Sequence, residues 1–151
     1  MEFEKAALIK APIEKVWQAL FNPELMRLCV SGTESVERLN ETEYLVQARV
    51  KVSFISARFK VRVKVIETRP PSYIRTESAG EDSGFANSFK QSSEVFLFST
   101  DADTTEMRVR VNVRIFGRLG VIGFNVIETK MDQLWAEFGE NLSRHFALKS
   151  Y

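Results

Sequence analysis

Residues 118–149, RLGVIGFNVIETKMDQLWAEFGENLSRHFALK, decide how the rest of the chain must fold. From Ile127 onward the apolar residues fall at Ile127, Met131, Leu134, Trp135, Phe138, Leu142 and Phe146, the three-and-four spacing of one helical stripe. Lys130, Asp132, Gln133, Glu137, Glu140 and Arg144 keep the opposite side polar. The front of the stretch differs. Leu119, Val121, Ile122, Phe124 and Val126 surround the axis, with Gly117, Gly120 and Gly123 among them. A helix apolar all round must be covered all round. The spacing predicts one helix from Arg118 to Lys149, roughly 45 Å long at about 1.5 Å per residue, enough to cross a small domain. It would lie against whatever sheet the remaining residues build, with a hydrophobic space between.

Working outward, Phe3 to Lys10 predicts a first strand, and Pro12 suits the first position of a helix whose apolar side is Ile13, Val16, Trp17 and Leu20. Asn22-Pro23 ends that helix and starts another, with Leu25, Met26 and Leu28 packing inward. From Glu34 the period becomes two. Strands are expected over 34–39, 43–54, onward to Glu67, then 73–79, 85–99 and 106–116. Turns are expected at Asn40-Glu41, near Ile55-Ser56, at Arg69-Pro70-Pro71, and over 80–84 and 101–105. Early helices, an antiparallel meander and a long last helix predict a single α+β domain over residues 1–151, helices on one face of the sheet.

The alternation assigns the two faces. Val46, Ala48, Val50 and Val52 point one way with Phe59, Val61, Val63, Val65, Val109, Val111, Val113 and Ile115. Opposite stand Arg49, Lys51, Arg58, Lys60, Arg62, Lys64, Arg108, Arg110 and Arg114, a basic solvent face. Such a face is ordinary solubility chemistry or a docking surface for an acidic protein or an anionic lipid surface. On the inner side, Asn87, Gln91 and Ser93 share the phase of Phe85 and Phe89, with Thr76 and Ser78 beside them. Unpaired amides and hydroxyls in a dry core cost about 1–3 kcal/mol each. Either these groups bond one another and water, or they line a mostly apolar cavity.

The totals exclude several classes. A net charge of +1 argues against bulk capture of nucleic acid, and a lone cysteine, Cys29, excludes an internal disulfide framework and fits a reducing compartment. No run of about 20 apolar residues and no signal-peptide pattern is present, so a soluble, cytoplasmic protein is expected. The one histidine, His145, sits where it would complement a helix C-terminus, and Cys29 reads as a buried thiol. No metal-ligand spacing, phosphate loop, nucleophile elbow or dinucleotide fingerprint occurs. No catalytic residue, metal or cofactor is expected.

Several local strings resemble one known family. They are Ala11-Pro12-Ile13-Glu14-Lys15-Val16-Trp17, Asn22-Pro23-Glu24, Gly32-Thr33-Glu34-Ser35-Val36-Glu37, Glu43-Tyr44, Thr68-Arg69-Pro70-Pro71, Gly84-Phe85-Ala86-Asn87 and Gly117-Arg118-Leu119-Gly120. Together they resemble the carbon monoxide dehydrogenase CoxG family of the START-like, helix-grip superfamily. The resemblance implies a curved antiparallel sheet of about seven strands wrapped around the C-terminal helix, with two short helices between strands one and two. It also implies a hydrophobic cavity for a lipid, quinone or polyketide-like molecule, and an accessory role beside a redox enzyme. Family members often continue into a hydrophobic tail; a chain ending at Tyr151 is expected to lack a permanent anchor.

Three functions follow. The first is non-catalytic binding or carrying of a hydrophobic molecule between the sheet and the C-terminal helix. Its walls would be Phe59, Val61, Val63, Phe85, Phe89, Val109, Val111, Val113, Ile127, Met131, Leu134 and Phe138, with Asn87 and Gln91 bonding a polar head. The second is an adaptor docking a partner protein or membrane surface through Lys60, Arg62, Lys64, Arg108 and Arg110. The third, weaker, is a cyclase- or hydrolase-like enzyme.

Overall fold

A computed structural model describes residues 1–84 and 86–149, with Lys149 described by its backbone alone; Phe85, one of the predicted walls, lies outside the described residues. The elements run β1 (Glu2–Ile9), α1 (Ile13–Leu20), α2 (Pro23–Cys29), β2 (Thr33–Arg38), β3 (Glu43–Val52), β4 (Ile55–Arg69), β5 (Tyr73–Asp82), β6 (Asn87–Asp101) and β7 (Thr104–Gly117). A 3₁₀ turn (Arg118–Val121) and the long helix α3 (Phe124–Lys149) follow. The strands form one seven-stranded antiparallel sheet in the order β1-β7-β6-β5-β4-β3-β2. This is the α+β helix-grip architecture predicted from the sequence.

The local chemistry accounts for the boundaries. Asn22 Oδ1 accepts from the backbone N–H groups of Glu24 and Leu25 at 3.1 and 3.2 Å, and Pro23 opens α2 where no intrahelical donor is needed. Asn40 Oδ1 accepts from the N–H groups of Thr42 and Glu43, closing the β2–β3 turn. The next turn falls at Ser53-Phe54 rather than at Ile55-Ser56, because Ser53 takes a positive φ of 56° and both Val52 and Ile55 can then be buried.

The predicted single helix over 118–149 is corrected. Its front is a 3₁₀ turn followed by an extended residue, Ile122, and α3 begins only at Phe124. Gly117 forces the break. It holds φ 89° and ψ −154°, a combination accessible essentially to glycine alone. The apolar residues here are therefore not covered all round. Leu119 and Ile122 pack against Val52, Ile55, Ala57 and Phe59, whereas Val121 is 87% exposed.

α3 lays its apolar stripe on β1, β7 and β6. Phe138 and Leu142 pack with Ile9, Leu97 and Met107, while Ile127 packs with Phe3, Val109 and Val111. The short helices join the same core through Val16, Ala19, Leu25 and Cys29. Polar ties fix the junctions: Asn141 Nδ2 donates to the Cys29 carbonyl at 3.0 Å, and Ser31 Oγ donates to Glu137 at 2.6 Å. Lys5 on β1 pairs with Asp132 and Glu128 on α3, and the Asp132 hydrogen bond raises the Lys5 pKa.

Because α3 and the short helices occupy different parts of the inner face, a space opens beneath α1 and α2.

Candidate functional site

That space is a cavity of about 310 Å³ between the α1–α2 corner and the β2 to β6 part of the sheet. Val46, Val63, Val65, Ile74 and Val95 form its sheet wall; Leu20, Phe21, Met26 and Val30 form its helical wall. Among the described residues, no charged side chain lines it. Its polar groups are few and grouped. Thr76 and Ser93 share a hydrogen bond of 2.7 Å, and Gln91 Nε2 donates to Thr76 Oγ1 at 3.4 Å. Thr76 and Ser93 face each other because β5 and β6 pair them directly. The volume is at the small end of the range for ligand sites, and a dry wall with a few convergent polar atoms is their usual chemistry.

The cavity is not where the sequence placed its walls. Val63 alone of the predicted walls lines it; Gln91 stands behind it, bonded to Thr76. Phe59 is buried in the cluster at the end of the sheet with Leu119, and Val61 and Phe89 pack on that cluster. Val109, Val111 and Ile127 are buried together, Val113 and Met131 pack on them, and Phe138 belongs to the core beneath α1. Leu134 is half-buried on α3. The residues missed were those of α1 and α2. Their apolar sides were legible, but not the lateral offset of α3, which leaves β2 to β5 to the short helices.

Asn87 is corrected too. It is 4% exposed and its amide is fully used within the protein: Nδ2 donates to Asp82 Oδ2 at 2.8 Å, and Oδ1 accepts from the Leu119 N–H at 2.8 Å. It offers no free group to a ligand head. Asp82 also accepts from the Ala86 N–H at 2.8 Å. These donors, the Asn87 amide foremost, hold the Asp82 carboxyl below the usual carboxylate range. The network ties the end of β5 to the start of β6 and to the turn leading into α3.

The basic outer face divides in two. Arg110 pairs with Glu4 at 3.1 Å and Glu94 at 3.9 Å, and Arg108 pairs with Glu106 at 3.2 Å. Lys60, Arg62 and Lys64, the other residues predicted to bind a partner, form no ion pair among the described residues.

Cys29 is 3% exposed, and burial raises its thiol pKa. A thiol so placed is inert. Ellman's reagent is expected to label it at least about a hundredfold more slowly in the native protein than in denaturant; equal rates would show an open α2. His145 lies near the end of α3, where its buried Nε2 has no hydrogen-bond partner among the described residues.

With this geometry in view, comparison with known proteins is decisive at the family level. Residues 7–147 match the carbon monoxide dehydrogenase CoxG family. The chain belongs to that family. No curated protein matches it in sequence. Among solved structures, a conserved protein from Geobacillus kaustophilus superposes with a TM-score of 0.88 at 17% identity, covering 97% of this chain and 95% of that one. A START superfamily protein from Mycobacterium smegmatis gives 0.72 at 15% identity, with 95% of each chain covered. The Zhui aromatase/cyclase from Streptomyces sp. R1128 gives 0.63 at 20% identity, covering 95% of this chain and 94% of that one. At these identities the likeness establishes a shared fold, so this CoxG family member is START-like. Among the described residues no helix is long and apolar enough to cross a membrane.

Proposed function

We propose that this protein binds and carries, without transforming it, an uncharged hydrophobic small molecule in the cavity beneath α1 and α2. The observation that carries the proposal is the cavity's lining, an apolar wall interrupted by Thr76 and Ser93 and, among the described residues, free of charged side chains. Burying a carboxylate or ammonium against such a wall would be strongly unfavourable, whereas a carbonyl or hydroxyl can share the hydroxyl pair. The ligand class is therefore a neutral, largely apolar molecule with one polar end, a description that includes quinones and polyketide-like aromatics. START-like relatives bind hydrophobic molecules, and the family's description makes an accessory role beside a redox enzyme the natural setting.

Titration with the neutral dye Nile red tests this. Saturable binding near one equivalent is expected. Val63→Phe, which adds bulk to the cavity wall, is expected to weaken it at least about tenfold, the effect of about 1.4 kcal/mol. Phe138→Leu, in the core beneath α1 but not lining the cavity, should leave dye affinity within about twofold. Equal effects of the two variants, or undiminished binding to Val63→Phe, would refute the assignment.

A further inference from the structure

The sheet register sets four outward residues side by side. Arg62 on β4 is opposite Ala79 on β5, Ala79 is opposite Lys90 on β6, and Lys90 is opposite Arg114 on β7. All four are exposed or half-buried at the outer surface. With about 4.8 Å between strands, three cations fall within roughly 15 Å, and Ala79 leaves a gap among them. The arginines elsewhere on this face are largely matched: Arg110 by Glu4 and Glu94, Arg108 by Glu106, Arg58 by Glu34 and Arg75 by Glu67. Arg62, Lys90 and Arg114 form no ion pair among the described residues. Like charges directly opposite on neighbouring strands, as Lys90 and Arg114 are, cost stability. Among the described residues the row is uncompensated.

It is also hollow. A depression of about 510 Å³ is lined by Arg62, Lys64, Ala79, Lys90 and Arg114, with Glu43 and Glu77 at its margin. A second, of about 560 Å³, continues past Lys60 and Glu81 to Phe116. Phe116 is 50% exposed, and Leu45 stands at the opposite end. Cations at the centre and an aromatic at one end are the make-up of a protein-binding surface.

We propose that this hollow docks an acidic, amphipathic segment of a partner protein, its carboxylates on Arg62, Lys90 and Arg114 and an apolar side chain on Phe116. The shape selects a protruding element over a flat bilayer, which would rest on the rim. Phe116 gains nothing from a small free anion. Glu43, Glu77 and Glu81 repel a uniformly negative surface and admit only a segment whose carboxylates follow the central row. The surface is the side of the sheet remote from the ligand cavity, so docking leaves the cavity unobstructed.

The test is nuclear magnetic resonance of the full chain titrated with a short helical peptide of Glu, Ala and Leu. A peptide with Lys in place of Glu and vesicles containing phosphatidylserine serve as comparisons. Shifts from the acidic peptide are expected to cluster at Arg62, Ala79, Lys90, Arg114 and Phe116. Joint Arg62→Gln, Lys90→Gln and Arg114→Gln substitution should weaken binding at least about tenfold, and Phe116→Ala about threefold or more. Removing equal charge elsewhere, through Lys10→Gln, Lys15→Gln and Arg144→Gln, should change it less than about twofold. Absent binding, scattered shifts, equal losses in the two triple variants, or vesicles binding through the row in preference to the peptide would each overturn the proposal.

Discussion

Asn87→Leu is expected to destabilise the fold by roughly 2–3 kcal/mol, lowering the melting temperature by about 5–10 °C. Leucine matches the size of asparagine but offers no amide. The buried Leu119 N–H then loses its acceptor, and a buried donor left unpaired costs more than the bond itself was worth. Asp82 loses the donor that does most to hold it ionised. The loss also carries a pH signature. The folded-state pKa of Asp82 lies below its unfolded value, so the network's contribution is complete above the unfolded pKa and disappears as pH falls through the folded one. The native protein should therefore lose stability below about pH 4 more steeply than Asp82→Asn, whose stability is already lower at neutral pH. Parallel acid profiles, measured by urea unfolding, would show that the network does not act as described.

Gly117→Ala is expected to cost about 3–4 kcal/mol. A side chain at φ 89° and ψ −154° carries backbone strain of about 1–3 kcal/mol, and the added methyl would collide with the Ala86 carbonyl oxygen. Neither partner can step aside, because Ala86 is held through its N–H by Asp82 and the next residue by Leu119. Gly123→Ala is the matched control, since nothing lies within 4 Å of its added methyl among the described residues. It should change stability by less than about 1 kcal/mol. Similar unfolding midpoints for the two variants would mean that Gly117 is not the constrained position.

Much of this architecture was legible in the chain. The period-two valines of β3, β4 and β7 and the period-3.6 stripe of α3 each bury one side of one element, so local pattern and final packing agree. The failures share a cause. The Arg118–Val121 segment is apolar in a way that suits a helix, yet one glycine conformation and two contacts across the sheet override that pattern. Asn87 was correctly placed on the inner face, but its phase could not show that Asp82 and Leu119 consume its amide. Likewise the cavity's sheet wall lies in the predicted phase, while its other wall depends on where α3 crosses the sheet. That is a tertiary property with no local signal. Lys90 and Arg114 join Arg62 through strand register alone.

Whether the space beneath α1 and α2 holds a neutral hydrophobic molecule is tested most directly by native mass spectrometry of protein purified without detergent, paired with mass analysis of its organic extract. The expected result is a stoichiometric, uncharged, predominantly apolar compound with a carbonyl or hydroxyl end, retained by the native chain and depleted in Val63→Phe. A carboxylate or phosphate ligand, or an apolar one retained equally by Val63→Phe, would contradict it.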